Sequence, residues 1–192
     1  DQLEDGARVG TSSLRRAAQL RAARPLLVVE SVRGNLDTRL RKLDEGHYDA
    51  IVLAAAGLRR LGWEDRIAQL LDPDFMCPAA GQGALAVEIR AGDGEIAAAC
   101  AALDHAETRA AVSAERALLH ALGGGCQVPL GAHATIHDGR LHLLGVVVSP
   151  SGGVVVRGAR EGGAAEAETI GEELAAILLD AGAQQILEDV HG

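Results

Sequence analysis

Apolar and polar positions follow two successive rhythms along this 192-residue chain. From residue 8 to residue 63, short continuous apolar runs alternate with segments of helical period. "TSSLRRAAQLRAARP" (11–25) opens on Thr11, Ser12 and Ser13, residue types that cap helix N-termini. It stops at Pro25, which cannot continue a helix. "LLVVE" (26–30) predicts a buried parallel strand. "NLDTRLRKLDEG" has Leu36, Leu40 and Leu43 at helical spacing and ends on Gly46. "YDAIVLAAAG" predicts a second buried strand, and "RRLGWEDRIAQLL" continues as short helices. This strand–helix alternation predicts a parallel α/β layer.

Beyond residue 75 the rhythm changes. "FMCPAAGQGALAVEIR" (75–90) is a Pro- and Gly-containing loop leading to a strand predicted from Ala84 to Ile89. Helices are predicted over 93–103 and 106–122, the second with Val112, Leu118, Leu119 and Leu122 on or near one face. Strands follow near 131–137, 140–148 and 153–159, with "HDGR" (137–140) as a hairpin turn and "PSGG" (150–153) as a second turn. An amphipathic helix over about 165–181 completes a small α+β unit with a three-stranded antiparallel sheet. The expected fold class is therefore α/β plus α+β, in two units whose boundary falls around 90–106.

Composition narrows this picture. Apolar residues make up 48% of the chain and mean hydropathy is +0.11, as in a globular protein. Aromatics are 2%, which argues against base-stacking platforms and a nucleic-acid partner. No apolar run is long enough to span a membrane, and none resembles a signal peptide. Cys77, Cys100 and Cys126 form no CxxC pair and leave an odd thiol, so a reducing, cytoplasmic location is expected.

The net charge of −9 is unevenly distributed. Residues 1–66 carry 12 Lys and Arg against 10 Asp and Glu, and the remainder carries 6 against 17. Lys42 is the single lysine. A GC-rich genome accounts for the preference for arginine but not for its clustering.

Three stretches give that clustering a chemical meaning. "GTSSLRR" (10–16) combines hydroxyl residues, a helix start, Arg15 and Arg16, an arrangement suited to a carboxylate. "SVRGNLDTR" (31–39) repeats it with Arg33 and Arg39, and "AAAGLRRLG" (54–62) with Arg59 and Arg60. In a parallel sheet the three loops emerge at the carboxyl ends of strands, where ligands of open α/β sheets bind. A multi-anionic ligand fits; an ordinary capped helix with solvated arginines fits the first stretch equally. No nucleotide-binding glycine motif is present. In "PAAGQGAL" (78–85), Gln82 offers amide donors and acceptors, or the loop is simply a tight turn. His133, His137 and His142 lack metal-ligand spacing, so no metal site is expected.

"ALGGGCQVPLGA" (121–132) places Cys126 after three glycines. A small buried hydrophobe is one reading. The other is an accessible thiol, modified once, because a helix C-terminal end disfavours the thiolate that repeated turnover needs.

Taken in order, "GTSSLRR", "RGNLDTRL", "YDAIVLAAAGLRRLG", "PAAGQGALAVEIR" and "GGGCQVPLGA" resemble the porphobilinogen deaminase (hydroxymethylbilane synthase) family over essentially the whole chain. The resemblance implies a cytoplasmic, monomeric transferase of tetrapyrrole and heme biosynthesis. It would join four porphobilinogen molecules head to tail with release of ammonia, on a dipyrromethane primer held by a thioether to Cys126. Loss of ammonia gives an electrophilic azafulvene, and the pyrrole nitrogen that becomes cationic needs a fixed carboxylate. The resemblance assigns the carboxylates of primer and substrate to Arg15, Arg16, Arg33, Arg39 and Arg60. Thr11, Ser12, Ser13, Asn35 and Gln82 would assist.

It also implies three domains. Residues 1–78 would form an α/β domain like the periplasmic anion-binding proteins, the family's second and here incomplete at its N-terminus. Residues 79–104 would cross into a first domain, and 105–192 would form the third, cofactor-carrying domain. The catalytic aspartate belongs to that first domain, expected before Asp1; this chain holds no catalytic residue and is expected to be inactive alone. A non-catalytic anion-binding or regulatory module is the rival expectation. An unrelated thiol enzyme is weaker, because Cys126 has no evident His–Asp partner set.

Overall fold

A computed structural model describes residues 3–123 and 128–191. In the first unit, β1 (Arg8–Gly10) lies between β2 (Val28–Glu30) and β3 (Ala50–Ile51), parallel to both. The register pairs Val9 with Val29 on one side and with Ala50 on the other. Helices α1 (Leu14–Ala23), α2 (Leu36–Asp44) and α3 (Ala55–Arg60) follow the three strands in turn. The α/β alternation is thus present, but the expected burial of its strands is not. With the order β2–β1–β3, both apolar runs occupy sheet edges, and Leu26 and Val28 are exposed. Of these, β3 is just two residues long. The middle strand is "RVG", too short for periodicity to single out. Val9, Leu20, Leu27 and Met76 form the small core beneath it.

In the second unit, α5 (Ala106–Ala121) precedes the antiparallel strands β4 (Leu130–His137), β5 (Arg140–Val148) and β6 (Val155–Gly163). The β4–β5 turn is Asp138-Gly139 at φ 51° and 74°, the positive values a two-residue hairpin of this hand requires. Helix α6 (Ala167–Leu178) packs with α5 across one face of the sheet, around Leu118, Leu141, Leu143, Leu174 and Leu178. At Gly171 the two helices approach backbone to backbone. A methyl at Gly171 would overlap Ala114 O. The helix expected to end near 181 gives way at Gly182 (φ 101°), and a further helix, α7 (Gln184–His191), continues the chain.

The other face of β5 explains its run of buried valines. Val146 and Val148 pack against Ala18 of α1 and against Cys77, so the strand is covered on both sides. Gly131 makes room for Cys77: a Cβ there would lie 2.8 Å from that of the cysteine. Arg21 donates to Pro150 O at 2.9 Å across the same junction.

Helix α4 (Gly94–Cys100) and a tight turn at Ala101–Leu103 form as expected from the pattern. The strand expected at 84–89 does not form. Its alternating Leu85, Val87 and Ile89 are exposed by 79%, 59% and 39%, because no described strand lies alongside to take up the backbone groups. Among the described residues, no helix is long and apolar enough to cross a membrane.

Candidate functional site

The loops after β1, β2 and β3 leave the carboxyl ends of three parallel strands and so share one rim of the sheet. In the first, Ser13 caps α1 and its Oγ accepts from Arg16 N at 3.4 Å. Thr11 is buried, its N–H donates to Glu30 O at 2.8 Å, and its Oγ1 accepts from Ser13 N at 3.3 Å. Ser12 ties this loop to the next: its Oγ lies 3.2 Å from Ser31 Oγ and donates to Val32 O.

The second loop is held from three directions. Asn35 caps α2, its Oδ1 accepting from Thr38 N at 2.9 Å. Arg39 Nε donates to Gly34 O at 2.7 Å, and Lys42 Nζ donates to Arg33 O at 3.2 Å. Gly34 takes φ 123°, a backbone conformation that side chains rarely adopt. Asn35 and Ser13 thus spend one side-chain oxygen each on capping, while the Arg33 side chain is exposed on the rim.

The arginines divide into two groups. Arg15, Arg16 and Arg39 stand together. Arg15 is 7% exposed and donates to Cys77 O; burial first, then the charge of Arg16, lowers its pKa to about 10. Arg16 donates to Val52 O at 3.2 Å, and burial, with Arg39 second, lowers its pKa as well. Arg59 and Arg60 lie elsewhere than their motif led one to expect, in the last turn of α3 and not in its opening loop. From there Arg60 donates to Gly83 O at 3.3 Å, inside the loop that carries the exposed Gln82. Among the described residues, none of Arg15, Arg16, Arg33, Arg39 and Arg60 has a carboxylate oxygen within 4.0 Å. Arg15 and Arg16, drawn out of solvent beside Arg39 without a counter-charge, are chemically suited to an anion, and planar guanidinium forks match carboxylates.

Cys126 lies outside the described residues. Residues 128–130, which follow it in the sequence, are buried. Two polar residues that sequence reasoning passed over organise the surroundings. Gln19 brackets the backbone of Cys77, and Glu115 accepts from Gly81 N at 2.6 Å and Ala134 N at 2.7 Å. Both sit among apolar neighbours on the buried faces of their helices, Gln19 beside Ala18 and Leu20, Glu115 beside Ala114. A polar side chain at a buried helical position was the available signal.

Comparison with known proteins bears on this rim directly. Residues 1–98 match the family model described as "Porphobilinogen deaminase, dipyromethane cofactor binding domain". The chain belongs to the porphobilinogen deaminase family. Residues 109–180 match a second model, "Porphobilinogen deaminase, C-terminal domain". The porphobilinogen deaminase of Syntrophobacter fumaroxidans is 52% identical over 186 residues, covering 97% of this chain and 60% of the relative. That of Roseiflexus castenholzii is 56% identical over 185 residues, covering 96% and 61%. That of Chromobacterium violaceum is 53% identical over 189 residues, covering 98% and 61%. The chain therefore spans about 60% of the length of these porphobilinogen deaminases. The model matched by residues 1–98 covers the whole arginine rim of Arg15, Arg16, Arg33, Arg39 and Arg60.

Proposed function

We propose that this chain supplies the second and third domains of a hydroxymethylbilane synthase, the enzyme that condenses four porphobilinogen molecules with loss of ammonia. The observation that carries the proposal is the set of arginines without carboxylate partners on the rim, lying within the stretch matched by the cofactor-binding model. Each porphobilinogen brings an acetate and a propionate, so primer and product are polycarboxylates.

The residues fit a dipyrromethane group. Arg15, Arg16 and Arg39 form a cationic cluster in which burial and mutual repulsion are relieved when an acid group arrives. Arg33, Arg60 and Gln82 extend the set of donors, and Thr11, Ser12, Ser13 and Asn35 shape the loops between them. Cys126 is the tether. When bound, the primer supplies the pyrrole carbon to which successive units are joined.

The chain's own contribution is positional. The arginines hold acid groups of the growing chain in a fixed place, and bidentate guanidinium forks orient them as well as neutralise them. The α/β unit is of the periplasmic-binding type. Residues 79–104 form the crossover to the family's first domain, which supplies the catalytic aspartate, so the exposed Leu85, Val87 and Ile89 are covered in the whole enzyme. The whole enzyme is a cytoplasmic monomer, and these residues alone do not complete the reaction.

Intact-mass measurement tests the proposal. Protein made from the full-length gene carries a dipyrromethane-sized adduct that Cys126→Ser abolishes. An unmodified Cys126 in that protein counts against the tether, and normal turnover by the isolated chain counts against the division of labour.

A further inference from the structure

Glu115 is 6% exposed, and no arginine, lysine or histidine lies within 4.0 Å of it among the described residues. A buried carboxylate without a cation is costly unless its oxygens are hydrogen-bonded, and here both are. One accepts the N–H of Gly81 at 2.6 Å, and the other accepts the N–H of Ala134 at 2.7 Å. A glutamine would present one oxygen and one NH2, and the NH2 would confront a backbone donor. Glu115 thereby fastens the 79–84 loop to β4.

That loop is wound so that fixing one residue fixes the next few. Gln82 N donates to Ala79 O at 2.9 Å and Ala84 N donates to Gly81 O at 3.1 Å, with Gly81 and Gly83 at φ 71° and 90°. The carbonyl that these turns set in place, Gly83 O, is the acceptor of Arg60. A continuous path therefore runs from α5 of the second unit to an arginine of the first.

We propose that Glu115 is a positioning residue for Arg60, acting through Gly81 and the Gly83 carbonyl. The inference rests on the reading of the arginine rim as a polycarboxylate site. It assigns to the second unit a share in shaping a site borne by the first. Arg60 sits at the C-terminal end of a six-residue helix, so its own element does little to fix its side chain. The loop does that instead.

The test is a double-mutant cycle on the 192-residue chain, with benzenehexacarboxylate as probe and titration calorimetry as readout. Glu115→Gln is expected to weaken binding about three- to tenfold when Arg60 is present and less than about twofold in an Arg60→Gln background. Combined with Arg39→Gln, which the loop does not touch, its effect should simply add. Equal losses with and without Arg60 overturn the proposal. A failure of the parent chain to bind the probe sinks the polycarboxylate reading but not this one, because a second measurement needs no ligand. The order parameter of the Arg60 Nε–H group, read by NMR, should fall in Glu115→Gln while that of Arg39 is unchanged. An unaltered Arg60 overturns the proposal. If Glu115→Gln does not fold, Glu115→Asp, with both acceptor oxygens on a shorter stem, carries the same comparisons.

Discussion

Gln19 closes a two-point bracket on Cys77: its Oε1 accepts from Cys77 N at 2.8 Å and its Nε2 donates to Cys77 O at 3.0 Å. One amide on α1 thereby satisfies both backbone groups of a buried residue at the junction of the two units, and Arg15 adds a second donor to the same carbonyl. Gln19→Ala leaves the Cys77 N–H buried without an acceptor while the carbonyl keeps Arg15. The expected loss is about 1–3 kcal/mol in urea unfolding. Unchanged stability would mean that the N–H is satisfied in another way.

The Cys77 thiol itself should be inert. It is fully buried, and burial, opposed by the weaker pull of Arg15, pushes its pKa up to about 12. The nucleophile is the thiolate, which is scarce at neutral pH. In a Cys100→Ser, Cys126→Ser background, a thiol-counting disulfide reagent should find no reactive group until the chain is unfolded. Labelling of the folded chain at the denatured rate would contradict the packing of Cys77 against Gly131.

Gly171→Ala probes the α5–α6 contact. The added methyl would overlap Ala114 O and meet Leu118 N at 2.8 Å, and backbone atoms cannot rotate aside. The helices must separate, at a cost of about 3 kcal/mol or more by thermal or urea unfolding. Gly139→Ala meets no neighbour within 4 Å, so its cost is confined to backbone strain at φ 74° and should be smaller. The reverse order would place the crossing elsewhere.

Glu115 also predicts a pH dependence. Burial raises its pKa, while hydrogen bonds from Gly81 and Ala134 pull it down. Because the folded value lies above the unfolded one, the folded state binds the extra proton. The stabilisation from this group is complete below its ordinary value of 4.5 and is lost as pH rises through the raised one. The stability of the parent chain minus that of Glu115→Gln should therefore shrink as pH climbs from the ordinary carboxylate range. A difference that is flat or grows with pH would refute the direction.

Arg16 is the rim arginine whose loss should be felt most by an anion, since it lies beside Arg15 and Arg39 and bonds no carboxylate. Arg16→Gln should weaken benzenehexacarboxylate binding about 10- to 100-fold, as expected for a charge-assisted hydrogen bond. Arg41→Gln, on the exposed side of α2, should have little effect. Equal effects of the two substitutions would reduce the rim to a diffuse field of charge.

Local chemistry was the part of this fold legible in the sequence. Ser13 caps the helix it precedes, and Asp138-Gly139 turns the hairpin it announces. These features depend on a few neighbouring residues. What could not be read depends on partners distant in the chain. "LLVVE" looks buried, yet it is an edge strand, because apolar content does not say what covers it. "ALAVEIR" has strand alternation but no strand beside it among the described residues, and only the family resemblance, not the local pattern, led one to expect that it would lack neighbours. Arg60 was legible as a cation in the right motif but not in its place, because α3, six residues long, carries it to the 79–84 loop. Glu115 was hidden by the ordinary expectation that a glutamate on a helix faces water.

Residues 84–90 also govern how the isolated chain behaves at high concentration. Leu85, Val87 and Ile89 present alternating apolar side chains in a short window that contains no proline, the composition from which intermolecular strand stacking nucleates. Glu88 and Arg90 are its gatekeepers, and Arg90 stands almost wholly in solvent. Colloidal lifetime thereby acquires a determinant separate from the core: two charged side chains beside an exposed apolar window.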